Sequence, residues 1–325
     1  MMAAKTVTSH PVPGRWSALR RSIPYLIVYG LIAVLLVYGT ASSDRFLTDR
    51  NLLNLLRQAV FIGTVAFGQT LVILSGGIDL SVGSVVKVTV LVSAILMNGE
   101  PANVPLAILA TIGIGIVVGL VHAAVITRFK VAPFIVTLGT YSILRGIAYT
   151  ISSTPVGRAA PEVVRFYDLK IGPLYALIIL FLLLFMLGVF VLRRTRFGRY
   201  IYAIGGNEQV ARLSGIRVTR IKYGVYVLCS LLAALTGLFS LSRSGVGDPN
   251  IGEGLELEAI TAVVLGGTSL FGGRGGLIGT FGAVLLLGLV GNLLVVLNVN
   301  QWLRDLIEGA IIVIAVALYK QKDRS

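Results

Sequence analysis

The sequence predicts an all-α membrane protein, a polytopic transmembrane helical bundle of about ten spans. Three observations predict it. Of the 325 residues, 56% are hydrophobic and 13% charged, where a soluble domain carries roughly 25% charged. The apolar runs come near the roughly 20 residues that cross a bilayer as a helix, and they lack the short alternating segments of a β-barrel. The charges, net +14, gather in a few loops and tails. Mean hydropathy is +0.89.

The candidate spans follow in order, each checked by the charge of the segment beyond it. Met1–Ser22 carries Lys5, Arg15, Arg20 and Arg21 and no acid, which places it in the cytoplasm. Ile23–Thr40, Leu53–Leu74 and Val82–Met97 come next, and Glu100 follows the third. Val104–Thr127 exits into Arg128 and Lys130. Phe134–Ile151 exits into the mixed, polar Ser152–Pro173, whose basic lean is the one conflict in the series. Leu174–Leu192 exits into Arg193–Lys222, with eight basic residues against Glu208. Tyr223–Leu241 leads to Asp248, Glu253, Glu256 and Glu258. Ala259–Leu270 is short and interrupted by glycine. Leu277–Leu297 and Trp302–Tyr319 close the series before Lys320, Lys322 and Arg324. Even-numbered exits are basic, and both termini are therefore expected to be cytoplasmic. The division is a basic tail 1–22, a transmembrane domain 23–319 with a cytoplasmic loop 193–222, and a tail 320–325.

The apolar run after the basic N-terminus is a full span with no small-residue cleavage site, so a cleaved signal is not expected. Nucleic acid is excluded as a partner, because the basic loops lack interleaved aromatics and obey the positive-inside pattern instead. The lone Cys229 lies in an apolar run and reads as a packing group. No Gly-x-x-x-x-Gly-Lys-Ser/Thr loop, Cys/His cluster or Ser/His/Asp grouping is legible. Passage of a solute is the better class than catalysis, with no cofactor in this chain.

The most informative stretch is Gly68–Ser84, which sets Asp79 and a run of glycines and serines between two apolar segments. Unwound backbone at membrane depth survives only where protein buries it or a cavity hydrates it. Asp79 is then a functional candidate, or the cap of the next helix. Leu71–Leu80 is echoed by Ala262–Leu270, and interrupted helices at matching positions point to a solute path. The expected path residues are Gly76, Gly77, Asp79, Ser81, Thr137, Thr140, Gly266, Gly267 and Thr268. Arg145 either snorkels outward or faces that path. His122 is expected to bond between helices, Gly115 and Gly119 to allow close packing, and Arg304 to pair with Glu308. Asn292 and Asn298 either line a polar path or bond across helices. Asp248–Glu258 docks a partner or keeps its loop solvated.

On the cytoplasmic side, Asn207 suits an N-cap, Glu208 and Gln209 a first turn, and Gly215 a stop. A short helix results, with a small-residue surface at Ala211 and Ser214. It is either a solvated linker or a docking helix.

The motifs Gly76–Ser84, Phe134–Gly146, Gly206–Ile216 and Ala262–Gly276 recur in order and resemble the permease subunits of bacterial ABC importers for simple sugars, the ribose/xylose/galactose type. The likeness runs from about Phe46 to the C-terminus. It implies a type II-importer-like bundle in the bacterial inner membrane that moves a monosaccharide from periplasm to cytoplasm by alternating access. It implies a second permease copy, identical or a paralogue, and a periplasmic sugar-binding protein. It further implies a separate ABC ATPase subunit that binds ATP and Mg. Gly206, Asn207, Glu208, Ala211, Ser214 and Gly215 would couple to that ATPase. Lys87 departs from the family pattern, where a small or apolar residue is expected; it snorkels, pairs with Asp79, or alters the path. A polyol, a furanosyl signalling compound or a nucleoside are the alternative solutes, and a self-sufficient secondary transporter is the rival class.

Overall fold

A computed structural model describes residues 15–300 together with 302–304, 306, 307, 309 and 310. The helices are α1 (Arg15–Ser42), α2 (Asp49–Leu74), α3 (Val82–Met97), α4 (Val104–Arg128), α5 (Pro133–Ile151), α6 (Pro161–Asp168), α7 (Ala176–Arg194), α8 (Arg196–Gly206), α9 (Glu208–Leu213), α10 (Val218–Ser244), α11 (Leu255–Leu265) and α12 (Leu277–Val296). A hairpin of two-residue strands, β1 (Lys170–Ile171) and β2 (Leu174–Tyr175), lies between α6 and α7. Most of the predicted span Trp302–Tyr319, Glu308 of the expected Arg304 pair, and the tails 1–14 and 320–325 lie outside the described residues.

Among the described residues, six helices are long and apolar enough to cross a membrane: α2, α4 with its preceding turn, α5, α7, α10 and α12. Leu26–Ser42 and α3 are shorter apolar helices. The predicted boundaries of α3 are met, because its apolar run stops at Asn98, whose φ of 43° ends the helix in the left-handed region. The predicted eighth span is not a full one. Its helix, α11, has 11 residues, about 16 Å, roughly half the hydrocarbon thickness. Within the polar segment Ser152–Pro173, residues 152–160 run without helix, and the remainder folds into α6 and the start of the hairpin.

The core is organised around α10, which packs on α4, α3 and α2. The predicted packing role of Gly115 and Gly119 is met. A Cβ at Gly119 would meet the backbone at Val227, and one at Gly115 would meet Leu231. Cys229 is buried with its backbone against Gly68, as its apolar setting suggests. Asn292 bonds across helices, exchanging amide hydrogen bonds of 2.8 and 2.9 Å with Asn51.

The segment after α10 does not remain at the rim. Gly245 ends α10 with a φ of 71°, and Gly247 bridges to Val156. Gly247 lies against Leu91 and Ala94 near the end of α3, whereas Gly252 lies against Gly83 and Val86 near its start. The chain thus descends beside α3 for about 16 Å, the rise of the helix from Gly83 to Ala94. The helix α11 begins at that depth.

Candidate functional site

Two polar regions interrupt the apolar bundle. The inner one begins where α2 ends. Gly76 (φ +82°) and Gly77 follow its last turn, and Gly77 N bonds back to Val72 O at 3.0 Å. Only glycine fits at Gly77, since a Cβ there would strike the Tyr226 hydroxyl. Asp79 is fully buried. Its Oδ1 accepts from Ser81 N at 2.9 Å and from Ser81 Oγ at 2.7 Å, just before α3. Its Oδ2 stands 3.5 Å from His122 Nδ1, contributed by α4. With its amide oriented to suit its neighbours, Gln69 donates to Asp79 O (3.1 Å) and accepts from Asp79 N (3.3 Å). Thr137 Oγ1 donates to Ile78 O at 3.1 Å and ties α5 to the break.

The second glycine pair ends a helix in the same way. The helix α11 stops at Gly266, followed by Gly267 with a φ of +83°. Thr268 Oγ1 then accepts from Gly276 N at 3.1 Å. The two turns meet indirectly: Gly273 N donates to Leu74 O at 3.0 Å, and Gly272 lies against Gly76 and Gly205. A hydroxyl pair, Thr70 and Thr280, joins α2 to α12 at 2.9 Å.

Of the expected path residues, Gly76, Gly77, Asp79, Ser81 and Thr137 form one cluster, and Gly266, Gly267 and Thr268 a neighbouring one. Thr140 stands apart and bonds its own helix at Val136 O. Ser81, Thr137 and Thr268 are fully buried. His122 was expected to hydrogen-bond between helices; it approaches Asp79, which was not foreseen, but neither of its ring nitrogens has a hydrogen-bond partner among the described residues. Gln69 and Tyr226 were missed; a glutamine within Val65–Leu74 was the available signal.

The outer region surrounds Lys87 on α3. Lys87 does not pair with Asp79, and it does not snorkel to water: its side chain is 3% exposed. It lies one helical turn along from Gly83, and its Nζ turns instead to Tyr149 Oη on α5 (3.2 Å) and to Glu253 Oε2 (3.7 Å). The ammonium also faces the Tyr149 ring, 4.6 Å from its centroid. Arg145 Nη2 reaches the other oxygen of Glu253 at 3.8 Å. Glu256 is 7% exposed, and its Oε2 lies against Gly83 with no hydrogen-bond partner among the described residues. The solvated-loop reading of Asp248–Glu258 holds only in part, since Glu253 stays half exposed while Glu256 is buried. The segment's glycines let the backbone lie flat on α3, a packing that the acidic composition conceals.

In the segment Arg193–Lys222, Asn207 Oδ1 accepts from Val210 N at 3.0 Å and caps α9, as predicted. Glu208 is clamped by Lys222 (2.6 Å) and Arg212 (2.9 Å). Partial burial would raise its pKa, but the two cations hold it below the ordinary value. The expected outward surface at Ala211 is wrong: Ala211 packs inward with Ile204 and Val218. Val210, Leu213 (82% exposed) and Ser214 form the outer face instead.

The family described as branched-chain amino acid transport system / permease component matches residues 51–316. Similar curated proteins include the ribose import permease protein RbsC of Bacillus subtilis (strain 168), 41% identical over 92% of each chain. The L-arabinose ABC transporter permease protein AraH of Azospirillum brasilense is 36% identical, over 96% of this chain and 91% of its own. The fructose import permease protein FrcC of Rhizobium meliloti is 33% identical, over 91% of this chain and 84% of its own. No solved structure matches the chain.

Proposed function

This chain belongs to the permease-component family of the branched-chain amino acid transport systems, and from that premise we propose that it is the membrane subunit of an ATP-driven importer for a monosaccharide. It is a multi-pass membrane protein and a transport component, not an enzyme. The observation that carries the solute class is likeness over nearly the whole length to permeases named for ribose, L-arabinose and fructose.

In this reading ten segments cross the bacterial inner membrane, the eighth as the half-helix α11, and both tails face the cytoplasm. Two permease copies stand side by side. A periplasmic binding protein delivers the sugar, and a separate ATPase binds ATP and Mg. The helix α9, with Gly206, Asn207, Glu208, Ser214 and Gly215 shaping it, docks that ATPase through Val210 and Leu213. A fixed cap and a clamped first turn make this six-residue helix a rigid lever, which supports the coupling role. Ala211 anchors the lever from inside. Gly76, Gly77, Asp79, Ser81, Thr137, Gly266, Gly267 and Thr268 form the inner gate of the path.

The test is uptake in proteoliposomes that hold the permease, its ATPase and its binding protein, with radiolabelled sugar outside and ATP inside. Leu213→Asp should cut uptake and stimulated ATP hydrolysis at least about tenfold, the effect of losing a central apolar anchor, while the permease still inserts. Full transport by the purified permease alone, driven by an ion gradient, would overturn the proposal.

A further inference from the structure

We propose that Lys87, Arg145, Tyr149 and Glu253 form a solute subsite partway down the outer half of the path, built for a neutral polyhydroxylated solute. This inference rests on the importer function proposed above and names where the solute lodges.

The placement comes first. Arg145 and Glu253 are 46% and 53% exposed on the subunit surface. Arg145 lies on α5 between the exposed Ile143 and Ile147, on a helix that buries only Thr137, Leu144 and Ala148. Glu253 sits next to Gly252, which lies near the inner start of α3 rather than at the rim. An ion pair at that depth is costly against hydrocarbon, so this surface must face water or another protein. The exposure then falls from Glu253 to Lys87, as it would in a funnel that leads from a wet face into the protein.

The chemistry comes second. Both ion pairs, at 3.7 and 3.8 Å, are longer than a charge-assisted hydrogen bond, which runs about 2.7–2.9 Å. Glu253 is held between two cations without being hydrogen-bonded to either. Behind it, the buried Glu256 Oε2 has no hydrogen-bond partner among the described residues and points at Gly83, one turn from Lys87. Carboxylate acceptors, ammonium and guanidinium donors and an aromatic face thus stand together with bonding capacity unspent. A sugar hydroxyl both donates and accepts, so it satisfies both signs at once. An anionic solute meets Glu253 and Glu256, and a cationic one meets Lys87 and Arg145; each is disfavoured.

The experiment uses the complete importer in proteoliposomes, with labelled D-ribose, D-fructose and L-arabinose as probes. Uptake and ATP hydrolysis are measured together, with the binding protein saturated. If none of the three is carried, the importer function fails and the subsite falls with it. Where one is carried, Glu253→Gln and Lys87→Met should each lower the solute carried per ATP about tenfold, the loss of one charged hydrogen bond, while ATP hydrolysis continues. The exchange Lys87→Glu with Glu253→Lys should stay impaired, because the solute then finds donor and acceptor in each other's places. A latch with no solute contact would instead be rescued by the exchange. Glu253→Gln should also let D-galacturonate compete for uptake at least fivefold better than it does in the parent. Parental solute-to-ATP ratios in both single variants, or full rescue by the exchange, would overturn the subsite and leave the importer function standing.

Discussion

Asp79 and Glu253 are both carboxylates in non-helical backbone just ahead of a shortened helix, α3 in one case and α11 in the other. Asp79 is fully buried and its Oδ1 accepts two short hydrogen bonds from Ser81. Glu253 is half exposed and meets two cations only at 3.7 and 3.8 Å. Around Asp79, the protein itself supplies partners for the unwound backbone, through Gln69 and Thr137. Around Glu253 it supplies charges and leaves the bonds to be completed. An interruption whose bonds are already made behaves as a seal, and one whose bonds are left open behaves as a place for a guest. The seal has one slack point, because Asp79 Oδ2 and both ring nitrogens of His122 have no hydrogen-bond partner among the described residues.

The largest expected effect breaks the seal. Asp79→Leu strands the Ser81 amide and hydroxyl in a buried site, and each costs about 1–3 kcal/mol. Uptake should be lost, and the thermal midpoint of the detergent-solubilised permease should fall by several degrees. Asp79→Asn keeps an Oδ1 acceptor and should retain appreciable uptake. If the two variants failed alike and the pH dependence of the remaining uptake changed, Asp79 would be a proton carrier rather than a brace.

The contrast between the regions was only partly legible in the sequence. The glycine pairs at 76–77 and 266–267 end helices as their echo suggested, because a left-handed residue after the last turn favours glycine whatever the surroundings. The six long apolar helices among the described residues could be read from their length, since burial in lipid demands an unbroken apolar run. The outer region could not. Four acids between Asp248 and Glu258 look like a solvated rim, and what carries the segment inward is tertiary: flat contact with α3 through Gly247 and Gly252. Nor could α8 be seen as a helix. Its arginines mark a cytoplasmic loop, while only Ile201 and Ile204 among its larger residues are buried. Ala211 was assigned to the wrong face of α9 because six residues are too few to show a period.

A moderate effect sharpens the contrast. Ser81→Cys and Thr268→Cys, at fully buried positions, should react with a small polar thiol reagent at least about tenfold more slowly than Glu253→Cys in the resting complex, in keeping with reactivity that follows access. Nucleotide together with loaded binding protein should raise the inner rates as the gate opens. Inner cysteines that stay silent in every state would make those positions packing sites, and the seal would then lie elsewhere.

The smallest expected effect lies outside both regions and asks whether the lever that drives them depends on pH. Glu208 has its pKa held below the ordinary 4.5 by Lys222 and Arg212, despite partial burial. A carboxyl whose folded pKa is depressed contributes stability that is present above the unfolded value and lost as pH falls through the folded one. The clamp on α9 is therefore intact at cytoplasmic pH, and coupling should be flat between about pH 7 and pH 5.5, well above the ordinary value. Below about pH 4.5 the purified permease should lose this contribution. Glu208→Gln removes the charge at every pH and should cost only roughly 0.5 kcal/mol, because the pair is partly exposed and screened by salt. In a thermal melt followed against pH, the parent and the variant should differ slightly at pH 7 and converge at low pH. A difference that grew with acidity would mean that Glu208 is not the anion of this clamp.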